Sequence, residues 1–164
     1  IRIFDFVQDT APRKKCKRAC FFRSAYLYLY LYPKQHIMDI LELRDYCLSL
    51  PETEETTPFD ETTLVYKVAG KMFALTDMVT GESVTLKCEP SLALDLRETY
   101  REIDAAYHMN KKHWNSVRLD GDLPSAFIRK MICDSYLLVV DGIPRSKREA
   151  LTKCFIEWEE ARRA

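Results

Sequence analysis

The sequence predicts an α+β domain, an antiparallel sheet with helices packed on one face. Three observations carry that expectation. Alternating apolar and polar residues between 63 and 87 are punctuated by Ala69-Gly70 and Thr80-Gly81, the pattern of short strands joined by turns. Apolar residues recur at helical spacing in 39–50, after Pro90, in 125–140 and in 145–163. The order is a helix, a meander of strands with one inserted helix, then a strand and two helices, which favours an antiparallel sheet. A chain of 164 residues, 47% hydrophobic and 30% charged, holds enough apolar material for one core.

Charge divides the chain before the elements do. Residues 1–37 carry eight Lys/Arg against two Asp/Glu, whereas 38–164 carry seventeen against twenty-three. A change of sign marks two unlike parts, so 1–37 is expected to be an extension outside the native domain and 38–164 the domain itself. The extension holds a basic run (Arg13, Lys14, Lys15, Lys17, Arg18) and a Tyr/Leu alternation at 26–32. A secretory leader does not fit, because Arg23 breaks the apolar patch and no small-residue cleavage site follows. A phosphate-tracking basic arm is the other functional reading of it.

Within the domain, Asp39 and Glu42 form a pair like a capping box, and Ile40, Leu43, Cys47 and Leu50 share one helix face that Pro51 ends. The acidic, Thr-rich 52–61, containing Glu52, Glu54, Glu55 and Pro58, reads as loop. Strands are expected at 63–68, 71–76 and 83–87, and Pro90 opens a helix carrying Leu92, Leu96 and Tyr100. Residues 105–109 read as a weak strand or extended loop, and 115–119 as a strand. Asp120-Gly121 then reads as a turn that uses glycine's tolerance of positive φ. Asp122 is the expected N-cap of the next helix, with Pro124 in its first turn. That helix aligns Phe127 with Met131, and Ile128 with Ile132, Ser135 and Val139; Gly142 and Pro144 end it. The last helix aligns Leu151, Cys154, Phe155 and Trp158.

Several function classes lack their signatures. No apolar run reaches the ~18–20 residues that cross a bilayer. The six cysteines form no Cys-x-x-Cys, and Cys47, Cys133 and Cys154 fall on apolar helix positions, which reads as reduced thiols in a cytoplasmic protein. No phosphate-binding glycine loop or dinucleotide fingerprint occurs. His108 and His113 have neither helical i, i+4 spacing nor a third ligand, so no metal site and no cofactor are expected. Ser135 sits mid-helix and not on a nucleophile elbow, so it reads as a close-packing serine, with Tyr136 bonding across the domain.

The densest chemistry lies in 108–124, HMNKKHWNSVRLDGDLP. The pattern H-x-N-K-x-H-W-x-x-V-x-L-D-G-x-L-P, followed by Asp134-Ser135-Tyr136 and preceded by MDILELRDYCLSLP at 38–51, closely resembles the MmcQ/YjbR family of small bacterial proteins. The likeness runs to about Lys153. It implies a frataxin-like version of the α+β fold and a non-enzymatic, DNA-binding role in the cytoplasm.

The residues themselves supply candidates for that role. Lys111, Lys112 and Arg118 suit phosphate, Asn115 can read adenine, and Trp114 can stack on a base, unless it is a core anchor. His108, Asn110, His113, Ser135 and Tyr136 complete the motif residues. Arg145, Lys147 and Arg148 add a second basic patch if the fold brings them close. The acidic balance of 38–164 counts against non-specific DNA binding. It leaves open an alternative, a module for a small molecule or protein partner in a cleft beside His108 and Trp114. The expectation can be tested by whether Lys111, Lys112, Arg118 and the 145–148 cations share a face.

Overall fold

Helix α1 (Ile40–Ser49) starts where its cap predicts: the Asp39 carboxylate accepts the Glu42 N–H at 2.8 Å. This is a computed structural model, and it describes residues 37–163. The basic run and tyrosine alternation of the expected extension lie outside the described residues. On α1, Leu43 and Cys47 are fully buried, and Leu50 follows them at the helix end.

The next segment departs from expectation. Thr53–Thr56 is a strand, β1, paired antiparallel with β2 (Thr63–Val68), where loop was expected throughout 52–61. It is an edge strand whose order comes from hydrogen bonds to β2 and from threonines that suit a pleated surface. With no apolar alternation, periodicity could not show it. Glu55 is held by the Arg44 fork of α1, at 2.7 and 3.0 Å, and Glu54 faces Lys67 across the pair.

β2 turns into β3 (Lys71–Asp77) through Ala69 and Gly70, at φ 51 and 73. Both are positive, as the primed hairpin turn requires. β4 (Ser83–Lys87) matches its expected span. After it, α2 (Pro90–Thr99) is capped by the Glu89 carboxylate, which accepts from Ser91 and Leu92 N–H. β5 (Ile103–Ala105) lies before the expected 105–109, leaving 106–113 as loop, and β6 (Trp114–Arg118) starts one residue early. Two helices, α3 (Ser125–Asp141) and α4 (Arg145–Ala161), close the chain.

Two readings of the β6–α3 connection are corrected. Positive-φ glycines among the described residues are Gly70 and Gly81; Gly121 is not one. Glycine stands at 121 because a Cβ there would lie 2.4 Å from Cγ of the buried Glu102. Nor does Asp122 cap α3: the cap position is Pro124, without a side-chain bond, and Asp122 pairs with Arg101 instead.

The sheet is six-stranded and antiparallel, in the order β1-β2-β3-β4-β6-β5. Register puts Tyr66, Ala74, Leu86, Val84, Val117 and Ile103 on one face, where they share a core with Phe127, Ile128, Ile132 and Tyr136 of α3. The opposite face carries Val65, Leu75, Thr85 and Ser116 and takes no helix among the described residues. This is the α+β architecture the sequence predicts.

Antiparallel pairing also fixes which residues share an end of the sheet. One end gathers the 69–70 turn, Lys67 with Glu54 opposite it, Lys71, Lys87, Glu89, Trp114 and the 106–113 loop. The other gathers Asp77, Glu82, Arg101, Glu102, Arg118, Asp120 and Asp122, together with the loop carrying Asp60 and Glu61.

Candidate nucleic-acid interface

The motif loop is pinned at both ends. Ala106 N–H donates to Trp114 O at 3.1 Å, and Cys88 N–H to His113 O at 2.7 Å. Inside the loop, Asn110 Oδ1 accepts from Lys112 N–H at 3.0 Å, and Asn110 O accepts from His113 N–H at 2.9 Å. From α2, the Arg97 guanidinium donates to Lys111 O at 3.0 Å. Asn110 and Arg97 therefore set the backbone from which Lys111 and Lys112 project, both exposed. The role of Asn110 is an Asx turn, the local bonding typical of that residue.

The structure brings together only part of the expected set. Trp114 is 8% exposed and Asn115 fully buried. Asn115 Nδ2 donates to Ala93 O at 3.3 Å, tying β6 to α2, and its Oδ1 is buried without a hydrogen-bond partner among the described residues, so the amide does not reach a base. Trp114 lies outside the main core cluster; register places it on the helix-free face beside Lys87. Arg118 stands at the other end of β6, four residues and ~13 Å from Trp114 at strand rise. There it binds Asp120 at 3.0 Å, and the bond holds the Asp120 carboxyl below its ordinary pKa. Lys111 and Arg118 thus sit at opposite ends. Arg145 and Arg148 begin α4 near the lysine end, because Lys71 Nζ donates to Gly142 O at 2.7 Å; Arg145 is paired with Glu149 and Arg148 donates to Asp141 O.

Sequence reasoning missed Lys67, Lys71 and Lys87, which the strands carry to the same end. Among the described residues, none of them, nor Lys111 or Lys112, has an ion pair. The alternation of β4 was a usable signal for Lys87, since Val84 and Leu86 point inward. Tyr107, 82% exposed on the same loop, was also missed, and it had no periodic signal. Its ring meets His108 edge-on, with centroids 4.7 Å apart, and Lys111 Nζ lies 6.0 Å from its centre.

The remaining motif residues are committed to the fold. Ser135 Oγ accepts Lys87 N–H at 2.8 Å and donates to Phe73 O at 2.5 Å, bridging β4 and β3 beside the irregularity in the β2–β3 register. Tyr136 OH donates to Pro51 O at 2.9 Å. Burial, reinforced by the Asp134 charge, pushes the Cys88 thiol up to about 12, so it holds no thiolate near neutral pH. At the start of α2 the anion position is filled by Glu89, whose carboxyl is held below its usual range chiefly by the Ser91 hydroxyl. That helix terminus therefore has no vacancy for phosphate. Among the described residues, no group of His, Cys, Asp and Glu could hold a metal ion, and no helix is long and apolar enough to cross a membrane.

Fold and surface define a class: a small α+β domain with an antiparallel sheet, helices packed on one face and a lysine-bearing loop at one sheet end. The chain belongs to the YjbR family, whose model matches residues 48–138. It is 35% identical over 117 residues to the uncharacterized protein YjbR of Escherichia coli (strain K12), covering 71% of this chain and 99% of that one. Identity to the uncharacterized protein YbdF of Escherichia coli O157:H7 is 39% over 99 residues, covering 60% of this chain and 81% of the other. Among solved structures it is similar to Deinococcus radiodurans protein DR2400, a DUF419 domain. There the TM-score is 0.66 and the identity 38%, over 73% of this chain and 92% of the other. A Pseudomonas syringae protein matches at TM-score 0.55 and 29% identity, over 62% of this chain and 98% of the other.

Proposed function

We propose that this chain is a non-enzymatic DNA-binding protein that grips a phosphate backbone with the lysine end of its sheet. The observation that carries the reading is the contrast in pairing: among the described residues the lysines of that end form no ion pair, while Arg101 and Arg118 at the far end are held by Glu102, Asp122 and Asp120. The acidic balance of residues 38–164 does not defeat it. The strands span ~15 Å, while fixed charges are screened over about 8 Å at physiological salt. The carboxylates of the far end are therefore largely screened from a backbone at the lysine end, where Glu54 and Glu89 are the acids that stay near.

Against an enzymatic reading stand the Ser135 hydroxyl, engaged on both sides, and the un-ionised Cys88 thiol. The cleft reading has less support than the loop: Trp114 is buried and His113 half-buried, so the pair presents no open wall.

Titration of a duplex with the full chain across a series of salt concentrations tests the proposal. Lys111→Ala/Lys112→Ala should bind more weakly, with a log–log salt slope shallower by about 1.8, the loss of two phosphate contacts. Whatever the basic run at 13–18 contributes is common to both proteins and cancels in the difference. An unchanged slope would place the phosphate contacts elsewhere and sink the reading.

A further inference from the structure

We infer that Tyr107 is a stacking platform for an unpaired base, so that the nucleic acid taken at this end of the sheet is single-stranded. The inference rests on the phosphate-binding reading above and narrows it to one substrate class.

Tyr107 is the most exposed large apolar side chain among the described residues, at 82%. It stands on the same pinned loop as the unpaired lysines, with the Lys111 ammonium 6.0 Å from its ring centre and His108 set edge-on against it. Base–aromatic stacking needs a free π-face on both partners. A duplex covers its base faces internally, and an unpaired base shows one. A base lying on Tyr107 brings its own phosphates within reach of Lys111 and Lys112. The pairing of a cationic track with an exposed ring is what sequence-tolerant single-strand binders use.

An internal comparison sharpens the assignment. Phe59 is also exposed, at 66%, but it precedes Asp60 and Glu61 at the carboxylate end. Its ring has no cation set to hold a phosphate beside it. Among the described residues the two exposed rings thus lie one among cations and one among anions, and of these only the first is a stacking site.

The test titrates full chain with a labelled mixed-sequence single strand, its duplex, and the same strand carrying abasic positions, all at one salt concentration. The single strand should bind more tightly than the duplex, and Tyr107→Ala should weaken it by about tenfold, the loss of one stacked base. Tyr107→Phe should restore the affinity, and Phe59→Ala should leave it unchanged. The salt slope of Tyr107→Ala should stay that of wild type, since no charge is lost. The abasic strand should bind wild type as poorly as the intact strand binds Tyr107→Ala. Equal losses on single strand and duplex, or no loss, overturn the stacking inference while leaving the lysine grip standing. Absence of binding to all three ligands overturns both. Because Tyr107 is solvent-exposed, its removal does not threaten folding, and an unchanged melting curve verifies that.

Discussion

The two ends of the sheet treat positive charge in opposite ways. At the carboxylate end, Arg101 and Arg118 are engaged by Glu102, Asp122 and Asp120. At the other end, Lys67, Lys71, Lys87, Lys111 and Lys112 form no ion pair among the described residues. The guanidinium forks serve the turns around Gly121, whereas the lysines carry no ion pair among the described residues and Lys71 alone of them is tied down, by the Gly142 carbonyl. Net charge alone hides this. A domain that is acidic in sum can present a local cationic surface, and the strand register decides where.

A parallel contrast exists between two aromatic residues of the same motif, and it supplies the largest expected effect. Trp114→Ala should cost about 3 to 5 kcal/mol, the range for emptying a large buried aromatic site, and lower the melting midpoint by roughly ten degrees. Tyr107→Ala should stay within about 0.5 kcal/mol, as exposed substitutions do. Equal midpoints for the two variants would break the inside–outside division of the loop.

Ser135→Ala comes next. It strands the Lys87 N–H and the Phe73 carbonyl at once, and each buried orphan costs about 1 to 3 kcal/mol. Thermal melts should show a loss of about 2 kcal/mol or more. A neutral outcome would mean that the hydroxyl bridge to the two strands is not formed.

Smaller still is Glu89→Ala, which removes the α2 cap and should cost about 1 kcal/mol. The Glu89 carboxyl titrates lower in the fold than in the unfolded chain. Its contribution is therefore fully present above the ordinary glutamate pKa and disappears as pH falls through the depressed folded value. Wild type and variant should differ at neutral pH and converge in acid, as urea melts at several pH values can show. The variant also strips a carboxylate from the lysine end, so its affinity for DNA should rise.

Much of the architecture could be read from the residues, because periodicity reports burial. Leu43 and Cys47, Ile128 and Ile132, and Val84 and Leu86 all occupy the faces their spacing predicts. Asp39 was visible as a cap because its bond is local. The features that escaped depend on partners distant in sequence. β1 exists because β2 lies beside it, Gly121 because Glu102 crowds it, and Asp122 left its helix for Arg101. The candidate surface suffered most. Motif density pointed to the right loop and to Lys111 and Lys112. Strand alternation then turned Asn115 inward, and strand length carried Arg118 to the far end. Lys71 joined the surface through pairing alone, whereas the β4 alternation already pointed to Lys87.

The central claim is that arrangement, not net charge, governs binding, and one matched comparison tests it directly. Lys111→Gln/Lys112→Gln and Arg101→Gln/Arg118→Gln remove the same charge from opposite ends of the sheet. Both are titrated with the same single strand over a salt series, in the full chain. The first pair should bind more weakly, with a slope shallower by about 1.4, the single-strand value for two contacts. The second pair should keep the wild-type slope and bind no more weakly. Equal losses in the two variants would contradict the account.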